Sequence, residues 1–305
     1  MKKYLILLLA AVLAFSCKKD SGNKEKEETG WTLPGYEMEL LAPEITGLSS
    51  AKLSAKVTVP ASPVEGVTFS IAWSTDESFG AGTVTVETFL GIQKSTTITC
   101  TATALEATAP IYYTVSYRQD GNVCMLRPKS FISGCVDMGK SVKWSAVNLG
   151  ASAPEEYGGY YAWGETSEKS SYTAANYTYS DNPQNGLPAN ADAASVASNG
   201  RWRMPTSQEF ADLINKKNSS CTPTTLNGVK GWKIESKLVP GASIFLPAAG
   251  IKKTEVSLAG TSGDYWINAI YDSEFAHKAS FLGEAVGLGT DYRSNGLSIR
   301  PVLAE

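Results

Sequence analysis

The chain has 305 residues, with 27 Lys and Arg against 30 Asp and Glu, which gives a formal net charge of −3. Hydrophobic residues make up 43% and charged residues 19%, a composition typical of a folded protein rather than a disordered one. The pI near 5.5 excludes the basic surface of a nucleic-acid-binding protein, and the single histidine, His277, excludes most imidazole chemistry. At roughly 100–200 residues per domain, the length predicts two domains.

Residues 1–16 have the pattern of a signal peptide. Lys2 and Lys3 precede an apolar run that ends at Ser16, and this run is shorter than the ~18–20 residues of a membrane-spanning helix. Cys17 follows directly. The arrangement resembles the lipobox of bacterial lipoproteins, which implies that Cys17 is acylated and anchors the protein in the membrane. The alternative is an ordinary signal peptide followed by a chance cysteine.

Residues 17–35 are predicted to be a flexible tether. The segment from Lys18 to Thr29 contains no apolar residue, so it cannot bury enough surface to fold. Lys18, rather than an Asp, follows the cysteine, which favours the outer membrane. The charged segment also resembles the tethers of surface-exported Bacteroidetes lipoproteins, which implies a location on the cell surface.

Residues 36–133 are predicted to form an antiparallel β-sandwich. Apolar and polar residues alternate from Lys52 to Val59, and four further stretches repeat this period of two. Asp120-Gly121 is a hairpin signal ahead of a strand from Val123 to Phe131. The segment loosely resembles fibronectin type III-like and immunoglobulin-like modules. Such a module would be a spacer, with ligand binding at its own edge as the alternative.

Residues 134–305 form the second predicted domain, a mixed α+β head in which glycine and aromatic residues become dense. Thr206 and Glu209 have the spacing of a capping box, and the apolar stripe that follows predicts a helix ending near Lys217. Ala189 to Ala197 is a second, Ala-rich helix candidate.

The head resembles the Fibrobacter succinogenes major paralogous domain family, whose fold is C-type lectin-like and whose biochemical function is mostly unassigned. Nine ordered blocks between Val136 and Val302 carry the resemblance: Val136–Gly139, Ser141–Trp144, Asn148–Ala151, Pro154–Gly158, Tyr161–Thr166, Trp202–Thr206, Ile244–Gly250, Tyr265–Trp266 and Ser298–Val302. The resemblance implies a C-type lectin-like head after a fibronectin III/Ig-like sandwich. Arg300, in the last block, is expected to be structural and ion-paired.

An enzymatic function is not expected. Trp202–Thr206 resembles a stretch of the formylglycine-generating enzymes, whose oxidation depends on a cysteine pair that holds copper. The head contains only Cys135 and Cys221, and neither lies near its C-terminal end, so no catalytic residue is nominated. An oxidase lacking this pair remains the enzymatic alternative.

The four cysteines after Cys17 could form disulfides in an exported protein. The pairing that respects the two domains is Cys100–Cys124 and Cys135–Cys221, although buried free thiols fit the sequence as well.

No cofactor and no metal site is predicted. The triplets expected of calcium lectins are absent, and Trp266-Ile267-Asn268 is the nearest approach. The loop from Asp181 to Asn185 could supply some calcium ligands, but its Asn and Pro content is also that of a turn.

Two sets of residues are candidates for ligand contact. Tyr172, Tyr177 and Tyr179 lie in a long loop, where exposed aromatic rings could stack on a sugar or a protein partner. The second set follows from the resemblance to proteins diversified by retroelements, which display ligand-contacting side chains ahead of the last block. It comprises Asn268, Tyr271, Asp272, Glu274, His277, Asp291, Tyr292, Arg293 and Asn295. Few of these are Asn, which departs from diversified segments.

The sequence therefore predicts an outer-membrane lipoprotein, anchored at the cell surface, whose head binds an extracellular glycan or protein. The alternative is a structural subunit of an outer-membrane assembly.

Overall fold

The computed structural model describes residues 31–80, 84–105 and 110–304. The predicted signal peptide, Cys17 and the tether up to residue 30 lie outside the described residues. The chain divides into two compact units, and most of the described residues up to Ser133 form the first. The second unit begins at Gly134 and also takes in Ile45–Leu48, a segment that the sequence analysis had placed in the first. Ile45 packs against the core of the second unit.

The first unit is built from antiparallel strands. The strands between residues 31 and 133 are β1 (Glu37–Leu40), β2 (Glu44–Gly47), β3 (Ser50–Thr58), β4 (Thr68–Ser74), β5 (Thr85–Phe89), β6 (Thr96–Ala102), β7 (Pro110–Gln119), β8 (Asn122–Met125) and β9 (Lys129–Ile132). β3 pairs with β1 and β6, whereas β4 pairs with β5 and β7. The alternation in β3 buries Leu53, Ala55 and Val57, as the sequence predicted.

The strand predicted from Val123 to Phe131 is wrong in one respect, because it forms two strands. β8 and β9 both pair with β7, and the chain between them contains Pro128, which has no N–H to donate. The predicted hairpin at Asp120-Gly121 is confirmed. Both residues have positive φ, 49° and 86°, which is the backbone of a two-residue turn with primed geometry.

The second unit is also mostly β, with two short α-helices. Its strands are β10 (Cys135–Asp137), β11 (Lys143–Ser145), β12 (Trp202–Arg203), β13 (Ser219–Leu226), β14 (Val229–Ser236), β15 (Ser243–Pro247), β16 (Ile251–Lys252), β17 (Val256–Ser257), β18 (Ser262–Ile270), β19 (Phe275–Leu282), β20 (Ala285–Tyr292) and β21 (Val302–Leu303). The helices are η1 (Ala174–Asn176, a 3-10 turn), α1 (Ala193–Ala197) and α2 (Ser207–Ile214).

Helix α2 begins at the predicted capping box. Thr206 accepts a hydrogen bond from the Glu209 N–H at 3.3 Å, and the Glu209 carboxylate accepts one from the Thr206 N–H at 2.8 Å. The helix ends at Ile214 rather than near Lys217, because Asn215 is already extended. α1 is shorter than predicted and begins only after Asp192, whose carboxylate caps it.

Large aromatic rings dominate the core of the second unit. Trp144 of β11 packs edge-on against Phe210 of α2, with ring centroids 4.9 Å apart, and Tyr265 packs edge-on against Phe281 of β19. β21 lies between β11 and β12, so the last strand of the unit pairs with strands from its beginning and middle. Within the described residues, no helix is long and apolar enough to cross a membrane.

Arg300 is structural, as predicted, but it forms no ion pair with any residue that the structure describes. Its side chain is fully buried and donates hydrogen bonds to three backbone carbonyls and one amide oxygen, those of Ser145, Ala146, Phe245 and Asn148. Burial lowers the pKa of the guanidinium to about 10, which still leaves it charged at neutral pH. The guanidinium thus ties the last block to strands β11 and β15.

The disulfide predictions are wrong: Cys100, Cys124, Cys135 and Cys221 are thiols in the structure. Cys100 lies opposite Leu53 on one sheet of the first unit, and Cys124 lies opposite Tyr117 on the other. Cys135 lies opposite Ser145 and Cys221 lies opposite Ile234, again on two different sheets. Burial raises the pKa of Cys100, with help from the charge of Glu87, and that of Cys221, both to about 11, so neither thiol ionises at neutral pH.

Replacing Arg300 with Leu should destabilise the second unit by about 3 kcal/mol or more, because several buried acceptors lose their donors. Chemical denaturation followed by tryptophan fluorescence measures this loss. The control is Lys216→Ala, which removes an exposed cation and should change stability by less than about 0.5 kcal/mol. Equal stability of the two variants would contradict the assignment.

Unfolding the protein without a reductant should expose all four thiols to alkylation. Mass spectrometry of the iodoacetamide-treated protein would then show Cys100, Cys124, Cys135 and Cys221 modified, and dithiothreitol would leave the melting temperature unchanged. A pair that reacts only after reduction would reveal a disulfide.

Candidate functional site

Several predicted contact residues lie in the hairpin of β18 and β19. The backbone N–H groups of Tyr271 and Asp272 donate to the Phe275 carbonyl at 3.1 Å, and the Asp272 carboxylate accepts from the N–H groups of Glu274 and Phe275 at 2.8 Å. Asp272 therefore holds the turn with its own side chain. Tyr271, Asp272 and Glu274 are all exposed, as their nomination requires.

Four aromatic side chains at this end of the sheet form what we call the aromatic strip: Tyr271, Phe275, His277 and Tyr292. Phe275 and His277 lie two residues apart on one face of β19, and Tyr292 of β20 is directly opposite Phe275. The rings of Phe275 and Tyr292 are 4.4 Å apart, and those of Tyr271 and His277 are 5.7 Å apart at a near-perpendicular angle.

The two tyrosines of the aromatic strip are unusually exposed. Tyr271 is 63% and Tyr292 is 50% accessible to solvent, whereas Phe275 and His277 beneath them are half-buried. Leu288 of β20 adds a further exposed apolar side chain. Apolar groups that gather at one place on a surface mark sites of interaction more often than scattered ones do.

Four of the predicted contact residues serve the fold instead. The Asp291 carboxylate is 2.7 Å from the Lys278 ammonium and accepts a hydrogen bond from the buried Asn295. Asn268 is half-buried, and its side-chain oxygen accepts from the Leu187 N–H. Arg293 is only 1% exposed. Their polar atoms are used within the protein, so their nomination as contact residues is wrong.

Lys278 joins two carboxylates below the aromatic strip. Its ammonium lies 2.7 Å from both Asp264 and Asp291. Burial works against its charged form, but the hydrogen bonds and charges of the two carboxylates outweigh this effect, so the pKa of Lys278 is raised. Lys278 therefore keeps its charge over the whole physiological pH range.

Arg293 holds the loop that contains the predicted tyrosines. Its guanidinium donates to the Tyr177 hydroxyl at 2.9 Å, to the Tyr179 and Asp181 carbonyls at 3.1 and 2.7 Å, and to Asn182 Oδ1 at 2.8 Å. A further bond reaches the Ser273 carbonyl in the β18–β19 turn. The cation also lies 5.0–5.5 Å from the ring centroids of Trp163, Tyr177 and Tyr179.

The three loop tyrosines are less exposed than predicted. Tyr172 is 1% exposed, packs with Tyr160 and Ala249, and donates its hydroxyl to the Tyr160 carbonyl, so it cannot touch a ligand. Tyr177 is half-buried, and its hydroxyl donates to the Trp163 carbonyl at 2.7 Å. Tyr179 is half-buried as well and packs edge-on against Trp163.

The loop from Asp181 to Asn185 is poorly suited to calcium. Two of its oxygens, the Asp181 carbonyl and Asn182 Oδ1, accept from the Arg293 guanidinium, which would repel a divalent cation. Over the described ranges, no group of three or more His, Cys, Asp or Glu residues is placed to hold a metal ion.

The sequence analysis missed Phe275, which stacks on Tyr292, although it lies within the nominated stretch. It also missed Thr166, Ser167 and Asn190, which line an open cleft beside Tyr179. A strand periodicity that places Phe275 and His277 on one face could have found the first. No local pattern brings the other three together, because they come from separate loops.

No family model matches this chain, and no curated protein matches it. Among solved structures, the long and short forms of the sensor domain of the anti-sigma factor RsgI4 of Pseudobacteroides cellulosolvens are each 15% identical to it, with TM-scores of 0.25 and 0.26. The matches cover 32% and 33% of this chain and 88% and 97% of those domains. Such TM-scores carry no argument about function, so the resemblance to the major paralogous domain stays a prediction.

Replacing Arg293 with Met should release the loop from Tyr177 to Asn182, because five hydrogen bonds are lost together. Hydrogen exchange followed by mass spectrometry should show faster exchange in this loop and in the β18–β19 turn. Lys253→Met, which removes an exposed lysine, is the control. Unchanged protection in the Arg293 variant would contradict its role in holding the loop.

Proposed function

We propose that the protein is a cell-surface lipoprotein whose second unit binds an extracellular glycan or protein and catalyses no reaction. The aromatic strip carries this proposal. Tyr271 and Tyr292 are each at least half exposed, and their rings pack against those of His277 and Phe275. Together the four rings present a large aromatic surface, and the two tyrosine hydroxyl groups can still form hydrogen bonds. Tyrosine gives much contact area at low entropic cost, which suits both sugars and protein partners.

The rest of the proposal draws on the sequence. The n-region, the short apolar run and Cys17 support a lipid anchor in the outer membrane, and the charged tether supports a position on the cell surface. The lack of a cysteine pair near the C-terminal end argues against oxidase chemistry.

The proposed architecture is a fibronectin III/Ig-like sandwich followed by a C-type lectin-like head of the major paralogous domain type. The burial of the large residues in the family blocks supports it. Trp144, Trp163, Trp266 and Arg300 are all at most 1% exposed. Residues that define a family by packing belong in the core, whereas the aromatic strip lies between the Tyr265–Trp266 and Ser298–Val302 blocks and is partly exposed.

The test is a binding survey with the full-length protein in detergent micelles on arrays of glycans and extracellular matrix proteins, with calcium or with EDTA. Saturable binding to a member of either class supports the proposal. If both arrays are blank while the protein co-purifies with membrane partners, the binding proposal fails and the assembly-subunit alternative replaces it.

Replacing Tyr271 or Tyr292 with Ala should weaken binding to any ligand found in this survey by about tenfold or more, because central aromatic contacts carry most of an interface's energy. Leu90→Ala is the matched control, since it removes another strongly exposed apolar side chain, 72% accessible, from the first unit. Equal loss in all three variants, or no loss in any, would place the contact surface elsewhere.

A further inference from the structure

A cleft of about 500 Å³ lies beside Tyr179, between three segments of the second unit. We call it the polar cleft, and its walls come from residues 164–169, 176–181 and 188–191. Four side chains on it, Thr166, Ser167, Asp181 and Asn190, make no hydrogen bond or ion pair with any other described residue. Their donors and acceptors are therefore free to meet a ligand.

Internal bonds hold two of these walls in place. The Glu165 carboxylate accepts from the Thr178 N–H at 2.7 Å and from its hydroxyl at 2.8 Å. The Lys169 ammonium is 2.5 Å from the same carboxylate and donates to the Asn176 carbonyl at 3.0 Å. Arg293 fixes the Tyr179–Asp181 backbone from behind. A site whose walls are already ordered loses little entropy on binding.

Tyr179 gives an independent indication of a ligand. Its ring packs so closely over Gly164, which has φ +85°, that a Cβ there would lie 2.2 Å from the ring. The Tyr179 hydroxyl is buried and has no hydrogen-bond partner among the described residues. Buried polar groups without a partner are rare and costly, and they concentrate where function requires them. Tyr179 lines the polar cleft, so a ligand bound there is a candidate for the missing partner of this hydroxyl.

The polar groups that line the cleft indicate which class of ligand it could bind. Two carboxylates, two amides, an ammonium and hydroxyl groups line one space, so donors and acceptors are mixed. The carboxylates of Glu165 and Asp181 outnumber the Lys169 ammonium, which disfavours an anion such as a phosphate or a sulfated sugar. A hydroxyl-rich, uncharged molecule satisfies such a lining best.

We propose that the polar cleft binds a neutral carbohydrate and does so without calcium. Calcium is not needed because the cleft itself supplies the donors and acceptors, and because Arg293 occupies the Asp181 carbonyl and Asn182 Oδ1. Arg293 also bonds Ser273 in the turn below the aromatic strip, so one side chain orders both surfaces. The inference rests on the proposed function only in that the protein binds an extracellular ligand.

The experiment titrates the full-length protein in micelles with neutral oligosaccharides by isothermal calorimetry, once with calcium and once with EDTA. Sulfated oligosaccharides and a lysine-rich peptide are the comparison probes. Asp181→Ala and Asn190→Ala should each weaken binding of the neutral sugar by about tenfold. Neither change removes a contact within the protein, because Asp181 bonds Arg293 through its backbone carbonyl. Glu284→Ala, in the β19–β20 turn, removes an exposed carboxylate and serves as the control.

Tyr179→Phe is the sharpest variant, because it deletes only a hydroxyl that has no partner within the described structure. It should weaken sugar binding while the melting temperature stays the same or rises. Tyr177→Phe is its matched control, since that hydroxyl bonds Trp163 and Arg293, and its loss should lower the melting temperature.

Three results would overturn the inference: no neutral oligosaccharide binds at millimolar concentration, only the sulfated sugar or the peptide binds, or EDTA abolishes binding. Full affinity in Asp181→Ala and Asn190→Ala would also overturn it. If Tyr271→Ala and Tyr292→Ala lose a ligand that these two variants retain, the proposed function stands and the polar cleft is not the site. Loss in the cleft variants alone supports the cleft and contradicts the aromatic strip.

Discussion

The buried guanidinium of Arg293 is the interaction on which the candidate surface depends. Its partners are carbonyls, a hydroxyl and an amide oxygen rather than a carboxylate, so its desolvation is offset by many hydrogen bonds and by three aromatic rings. A carboxylate would pair with the cation but would fix only one point of the chain. Several carbonyls from one loop fix the path of its backbone instead.

Arg300 shows the same solution in the core of the second unit. It joins carbonyls of β11 and β15 to the segment Ser298–Val302, whereas Arg293 joins a long loop to the β18–β19 turn. Long irregular segments cannot satisfy their carbonyls in sheets, and each must find a donor when buried. Arg293 supplies these donors to a loop, and Arg300 supplies them to Ser145, the last residue of β11, and to Phe245 of the edge strand β15.

The features that could be predicted from the sequence were the local ones. The alternation in β3, the Asp120-Gly121 turn and the capping box at Thr206 follow from neighbouring residues, and the structure confirms all three. The Cys pairs, the burial of Tyr172 and the role of Arg293 depend on residues far apart in the chain. A tyrosine in a polar loop looks exposed until Gly296 is placed beneath its ring. No rule based on the spacing of residues in the sequence predicts this contact between Tyr172 and Gly296.

The sequence predicted only part of the candidate site, because the rest depends on contacts between residues far apart in the chain. The exposed tyrosines at 271 and 292 follow from a resemblance that points to one stretch of chain, and β pairing then brings them to the same end of the sheet. Polar side chains close to Tyr292 in the sequence were nominated with equal weight, but Asp291, Arg293 and Asn295 hold that end of the sheet together. A binding surface on loops needs such a foundation, because ordering the loops only when the ligand arrives would reduce the affinity. The exposed residues proposed to contact a ligand and the residues that hold the surface in place therefore alternate along one stretch of chain, and their burial separates the two groups.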